Sequence, residues 1–325
     1  MPRAGAAVLW LCLAAAVLGL PHALSLSQQE VAVFTVINVL LVASYRLLTL
    51  TGEWSLGHVV LMGVGAYTSA LLSKLLGLPV PLSMLLGAGV AALTAWALSF
   101  PLLRMRGFYF LIGSFAAGEV IRLLWIKFRL FGGPKGLTRI PPFPDFGPIR
   151  FFDAVHYYYL ALLVVAVALL ILWRIEHSRV GLVFHAVHWN DKLAASVGID
   201  TRQIRAQAFV VASFFAGLAG TLLAHYVGAV NPTRFDVAQM VYVLIWVIVG
   251  GTTRFYGPIL GVVLLTVLNE VVLRGIGAET LRPFLYGLVL VLTVRFLPGG
   301  LETVVERLRP RRPAPVMSPA DRAQA

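Results

Sequence analysis

"TGEWSLGHVVLMGVGAYTSALL", Thr51–Leu72, starts as a polar, glycine-rich loop and ends as an apolar helix. Gly52, Gly57, Gly63 and Gly65 punctuate it, and His58 stands at the edge of the apolar run. Ser55 can cap a helix that begins near Leu56, and Gly57 lets the backbone bend at its start. Gly63 and Gly65 then allow a neighbouring backbone to approach closely. A helix N-terminus at membrane depth presents free N–H groups and a positive dipole, which suits a carboxylate. The alternative is a helix that simply packs tightly through its glycines.

Composition places the stretch in a bilayer. Of 325 residues, 59% are hydrophobic and 12% charged, and the mean hydropathy is +0.87. A soluble domain carries about 25% charged residues, so lipid must face this much apolar surface. The net charge of +12 is read through topology and not as nucleic-acid binding, because the basic residues fall between spans and in the tail. The single cysteine, Cys12, lies in an apolar run and excludes an intramolecular disulfide.

Ten apolar segments suit a bilayer: 6–24, 31–50, 58–73, 81–100, 107–124, 156–173, 207–226, 237–251, 256–273 and 282–297. The third, eighth and tenth are short for a full crossing, as broken or buried spans are. The fold class is therefore an all-α polytopic bundle with glycine-rich helix breaks. Residues 1–29 form a first span or a signal-like segment, since Arg3, an apolar run and "PHALS" also resemble a cleavable signal. With both termini cytoplasmic, 14 Lys and Arg lie inside and nine outside. The 127–155 loop holds five basic residues against that bias, and its Gly132-Gly133-Pro134 and "IPPFPDFGP" suggest a structured external loop. Residues 302–325 read as a disordered, basic cytoplasmic tail.

Polar residues within spans mark candidate sites. Asn38, near midplane, lines a path or makes an interhelical hydrogen bond. Arg46 and Arg295, near span ends, are expected to snorkel. Glu119 and Arg122 share a helix face and are expected to form a structural ion pair, with substrate contact as the alternative. Asn269 and Glu270 read as interfacial. The candidate translocation path joins Asn38 to Ser55, Gly57, His58, Gly63, Gly65 and Tyr67. "GGTTRFYGPILG", 250–261, repeats the glycine-rich break six spans later, facing the same side as the first.

Enzyme signatures are missing from the sequence. There is no phosphate-binding G-x-x-x-x-G-K-[ST], no H-E-x-x-H, no Cys/His cluster with metal spacing and no G-x-S-x-G. A catalytic, metal or cofactor site is not expected. The basic segment 174–206 reads instead as a docking element. Its centre, His185 to Val197, forms a short amphipathic helix ended by Gly198, with Val187, Leu193, Ala194 and Val197 on one face.

These segments, in this order, resemble the membrane subunits of branched-chain amino-acid ABC importers, the LivM-type permeases. The resemblance runs through Thr51–Leu72, "LRMRGFYFLIGSFAAGEVIRL", "FGGPKGL", "SRVGLVFHAVHWNDKLAASVGIDTRQIRAQAFVVASFFAGLAGTLLA", "GGTTRFYGPILG" and "LPGGL". It covers about 30–301, which becomes the permease domain. It implies half of a transmembrane heterodimer in the bacterial inner membrane, completed by a second permease subunit, two cytoplasmic ATPases and a periplasmic binding protein. ATP is then used by the partners. It also implies that 181–199 docks on the ATPase, with Gly181, Asn190, Asp191, Ala194, Ala195, Gly198 and Ile199 as coupling residues. Leu182, His188-Trp189-Asn190-Asp191, Thr253, Arg254 and Arg46 depart from the family pattern. Urea, amides and other small acids travel through the same family, so the solute stays open. An ion-coupled secondary transporter is the competing reading, but no buried carboxylate relay is evident in the sequence.

Overall fold

The computed structural model describes residues 16–145, 151, 153–270 and 279–308. The predicted first span falls mostly outside these residues. Its described end, 16–23, is helical and is tied to the bundle by Tyr158 and Tyr159, whose hydroxyls donate to Val17 O and Leu18 O at 2.9 and 2.7 Å.

The long helices are α1 (Leu26–Thr49), α2 (His58–Leu75), α3 (Val80–Leu102), α4 (Phe108–Lys127) and α5 (Ala154–Glu176). Two short helices follow, α6 (Arg179–Trp189) and α7 (Asp191–Ser196), then α8 (Thr201–Val227). The chain continues through α9 (Val237–Gly250), α10 (Gly257–Leu268), α11 (Arg282–Phe296) and α12 (Leu301–Leu308). Six of these are long and apolar enough to cross a membrane. Helix α11 continues after a 46° bend into 301–307, and the two together have the length and apolarity of a further span.

Local chemistry sets the boundaries. Pro81 opens α3 near its first turn, where a missing N–H costs nothing. Asp200 accepts from the amides of Arg202 and Gln203, so α8 begins at Thr201, six residues before the predicted span. Arg202 and Arg205, expected in a loop, therefore belong to its first two turns. Gly228, with φ of 69°, ends the same helix in the left-handed region.

Small residues decide which helices are central. A Cβ on Gly65 would overlap the backbone of Gly217, and one on Gly220 would overlap Met62 O. Helices α2, α3 and α8 thus pack backbone to backbone, with α1 laid across α8. Of the most apolar window of α8, 78% is buried, against 22% for α4. Helix α4 is accordingly peripheral and presents Val120, Leu123 and Leu124 outward.

Helices α9 and α10 form a tight hairpin, with Gly261 under Trp246 O and Gly250 against Gly257 O. At about 1.5 Å per residue, their 14 and 12 residues span roughly 21 and 18 Å, short of a ~30 Å hydrocarbon core. Neither is a full crossing by itself, as expected for the eighth predicted segment but not for the ninth.

At one end of the bundle, Leu137–Thr138 pairs antiparallel with Ala229–Val230. Lys74 Nζ donates to Thr138 O at 2.6 Å. The described part of the 127–155 loop is thus folded onto the bundle, as its glycines and prolines suggest. At the other end, the connections near 53, 106, 177–200, 251–256 and 297–300 converge.

The segment 302–325, expected to be a disordered tail, starts instead inside α12. Glu302 is 1% exposed and anchors that helix to the bundle. The sequence after Leu308 lies outside the described residues.

Candidate functional site

Seven residues formed the predicted path, and the structure divides them. Helix α2 starts at His58, not Leu56, and Gly57 takes the cap position. Ser55 Oγ accepts from Gly57 N at 3.2 Å, while Ser55 N donates to Tyr45 Oη at 2.8 Å. Ser114 Oγ accepts from Leu56 N at 3.0 Å. Neighbouring side chains therefore engage the three amides that lead into this helix. His58 is buried and bonds Ser44 Oγ at 3.0 Å.

Gly63 faces Trp125 and Phe235, where any side chain would collide. Tyr67 stacks on Trp125 with centroids 4.6 Å apart. Ser55, Gly57, His58, Gly63, Gly65 and Tyr67 are thus packing and bonding residues of the core. The physical reason is simple: glycines that admit a neighbouring backbone cannot also leave a passage. Asn38 differs, because it lines a cavity.

That cavity has a volume of about 380 Å³ and lies between α1, α9, α10 and α11. Its polar lining includes Asn38, Gln239, Asn269, Glu270 and Arg282. Phe34, Tyr242, Trp246 and Tyr286 supply the apolar wall. Tyr242 meets Tyr286 edge-on at 5.1 Å. Read singly in the sequence, Asn269 and Glu270 are interfacial. The available signal was the recurrence of Gln239, Asn269–Glu270 and Arg282 at the same-side ends of three successive segments, together with Asn38.

A second cavity of about 420 Å³ lies at the opposite end, lined by Trp54, Ile248, Gly251, Thr252, Thr253 and Pro298. The two glycine-rich breaks therefore do share one side. Arg46 braces the wall of this cavity and does not snorkel. It is 1% exposed and holds Glu176 through Nε and Nη2, at 2.7 and 2.6 Å. It also donates to Thr252 O and Thr253 O, at 2.6 and 3.0 Å. On the other side of that loop, Glu302 accepts from the amides of Thr253 and Arg254 at 2.8 and 2.7 Å, and from the Thr253 hydroxyl. One loop is thus held from two sides by opposite charges.

The predicted docking helix is broken in two. Asn190, at φ −155° and ψ 95°, leaves the helical region, and its Oδ1 accepts from Leu193 N at 3.0 Å to start α7. Asn190 is a cap, not a mid-helix residue. The expected single face separates accordingly. Val187 and Ala194 are buried, whereas Leu182, Trp189, Leu193 and Val197 are exposed. Ala195 is also exposed. Gly181 is buried where α6 turns against α5, and a Cβ there would strike Glu176 O. Gly198, with φ of 87°, ends α7 as expected, and Ile199 N donates to Ala194 O at 3.1 Å.

Asp191 ties this element to two others. It contacts Arg106 Nη1 from the α3–α4 connection and lies 3.0 Å from Arg205 Nη2 on α8. Arg205 Nη1 in turn reaches Glu53 at 3.4 Å. Burial pushes the Glu53 carboxyl above its ordinary range, against the opposing pull of Arg205 and Arg106. His185, on α6, is held below its ordinary range, mainly by burial. No cluster of three or more metal-ligating side chains occurs among the described residues.

Glu119 and Arg122 form the expected pair, with Arg122 Nε 2.9 Å from Glu119 Oε2 and a second contact through Nη2. Their side chains are 28% and 19% exposed, so solvent or lipid headgroups screen part of the interaction. Each single alanine variant is expected to lower accumulation, and the swap Glu119→Arg with Arg122→Glu to recover part of it. Membrane-protein yield and thermal midpoint measure this; two single variants at wild-type levels would remove the pair from the stability account.

Comparison with known proteins places this geometry. The family model described as "Branched-chain amino acid transport system / permease component" matches residues 28–294. The chain is 30% identical over 305 residues to the high-affinity branched-chain amino acid transport system permease protein LivM of Escherichia coli K12, covering 86% of this chain and 71% of that protein. LivM of Salmonella typhimurium LT2 matches to the same extent. The autoinducer 2 import system permease protein LsrC of Salmonella typhi is 28% identical over 223 residues, 66% of this chain and 61% of that protein. No solved structure matches the chain.

Proposed function

The chain belongs to the branched-chain amino-acid transport permease family of ABC systems, and we propose that it serves as a multi-pass inner-membrane subunit importing branched-chain amino acids or related small polar solutes. In this reading it pairs with a second permease subunit as a heterodimer. Two cytoplasmic ATPases bind and hydrolyse the ATP, and a periplasmic binding protein delivers the solute. The permease domain is 30–301, within ten membrane segments that leave both termini in the cytoplasm. The short α9 and α10 count as two of these segments, closed off by neighbouring helices.

One observation carries the reading. The α6–α7 element exposes Leu182, Trp189, Leu193 and Val197, with Trp189 84% exposed, while Asp191 clamps the same element to the bundle. An apolar face held rigidly at the end of a membrane bundle suits docking on another protein that transmits force.

Single cysteines in a Cys12→Ser background test direction and docking together. Ala195→Cys should label from the cytoplasmic side and crosslink to an ATPase subunit. A cysteine at Asp145 should label from outside. External labelling at 195, or crosslinks only to the second permease subunit, would refute the assignment.

A further inference from the structure

We propose that Arg205 is a two-position coupling residue: it holds Asp191 of α7 in the docked arrangement and closes on Glu53 when α7 lifts from the bundle. This assignment rests on the docking role given to α6–α7 above, and it makes Glu53 a positioning residue that acts through Arg205.

Arg205 is buried between two carboxylates and fully committed to neither. Its Nη2 lies 3.0 Å from Asp191 Oδ1, and its Nη1 lies 3.4 Å from Glu53 Oε1. That Asp191 oxygen nevertheless has no hydrogen bond, and Arg205 Nε is buried without an acceptor among the described residues. The contacts are therefore ionic but not aligned. A guanidinium binds a carboxylate best through two parallel N–H···O bonds. Here the two Nη groups, which form one such fork, are split between two acceptors. Turning the fork fully onto either carboxylate takes it from the other. A buried network left half-satisfied is costly where it stands, and the two ways of completing it lie on different elements.

Those elements are the ones a docking partner must connect. Asp191 opens α7, beside the exposed apolar face. Glu53 is buried in the α1–α2 connection, where its amide donates to Leu48 O at 3.1 Å. Two residues on, Ser55 N is bonded to Tyr45, and the helix that follows packs Gly65 on Gly217 of α8. A fork closed on Glu53 thus pulls on the core made by α1, α2 and α8. Arg106 and the Gly107 amide also face the Glu53 carboxyl. Asp191 without Arg205 keeps only Arg106, whose exposed guanidinium is screened by solvent. The Glu53 position therefore leaves α7 weakly held. The two regions already touch beside the switch: a Cβ on Gly52 would come within 2.8 Å of Nδ1 of His188, on α6.

Exposure of the inner face of α7 measures its release. Ala194 is buried there, so a cysteine at that position, in a Cys12→Ser background, should react with a maleimide only when α7 lifts. The test uses the full chain in lipid nanodiscs together with the subunits that co-purify with it. Asp191→Asn should commit Arg205 to Glu53 and raise the labelling rate on the order of tenfold. Glu53→Gln keeps the size and removes the competing charge, so Arg205 should close on Asp191 and the rate should fall below that of the otherwise unchanged chain. A merely structural cluster loosens when either carboxylate is lost. Raised labelling in both variants therefore overturns the switch, as do unchanged rates in both. If Glu53→Gln fails to accumulate, Glu53→Asp withdraws the charge by one methylene and should lower the rate by less. If Ala194→Cys fails, hydrogen exchange at the Ala194 amide, which donates to Asn190 O at 2.9 Å, reads the same opening. Opposite-signed labelling in a chain whose Ala195→Cys variant crosslinks to no ATPase subunit would uphold the switch and sink the docking role alone.

Discussion

Replacing Arg46 with alanine should destabilise the folded chain by about 3–5 kcal/mol, because it leaves the Glu176 carboxylate buried without its partner. Folded domains hold a margin of only about 5–15 kcal/mol, so the variant should scarcely accumulate in membranes. The loss is more than one ion pair. Thr252 O and Thr253 O lose their donor in the same step, and the loop they belong to forms one wall of the second cavity. Arg46→Lys should recover little, since an ammonium cannot reach a bidentate carboxylate and two carbonyls at once. A double change, Arg46→Met with Glu176→Leu, removes both charges and should recover part of the yield. It should not recover all, because the two carbonyls remain unpaired. Fluorescence-detected size-exclusion yield and thermal midpoint measure the series, and an Arg46→Ala variant with wild-type values would refute it.

Arg46 also marks where sequence reading stops. An arginine four residues from the end of an apolar run looks like a snorkelling charge when its helix is considered alone. Its partners lie 130, 206 and 207 residues away, and no local pattern connects them. The six long spans were legible, because apolar length is a property of each segment. Helix α2 illustrates the intermediate case. Its glycines announced close approach correctly, but opening and packing look alike in composition, and the partner glycine, Gly217, sits on α8. Asn190 was ambiguous for another reason. A capping residue and a mid-helix polar residue differ only in backbone angles, so one predicted helix became α6 and α7. The cavity beside Asn38 was least legible of all, since Gln239, Asn269, Glu270 and Arg282 carry no pattern singly and meet only through the α9–α10 hairpin.

The α6–α7 element is where force should enter, and disabling it should abolish transport without unfolding the protein. Ala195 is exposed on α7, so Ala195→Glu removes no internal packing and places a charge on the docking surface beside Val197. Gly198→Val acts differently. Its φ of 87° is strained for a β-branched residue by about 1–2 kcal/mol, enough to loosen the end of α7 but not the bundle. Asp191→Asn tests the clamp: it keeps the side-chain shape and removes the charge that holds Arg106 and Arg205. Arg106 is 64% exposed and should contribute little. Arg205, at 8%, is left with Glu53 alone at 3.4 Å, so the link from α7 to α8 weakens. All three variants should insert and reach near-normal levels in membranes. Solute uptake and substrate-stimulated ATPase activity of the assembled importer should nevertheless fall together, by tenfold or more if the clamp carries about 1.4 kcal/mol of coupling. A variant that keeps stimulated ATPase activity while losing uptake would move the defect into the permeation path. Wild-type values for both in all three variants would show that force enters elsewhere.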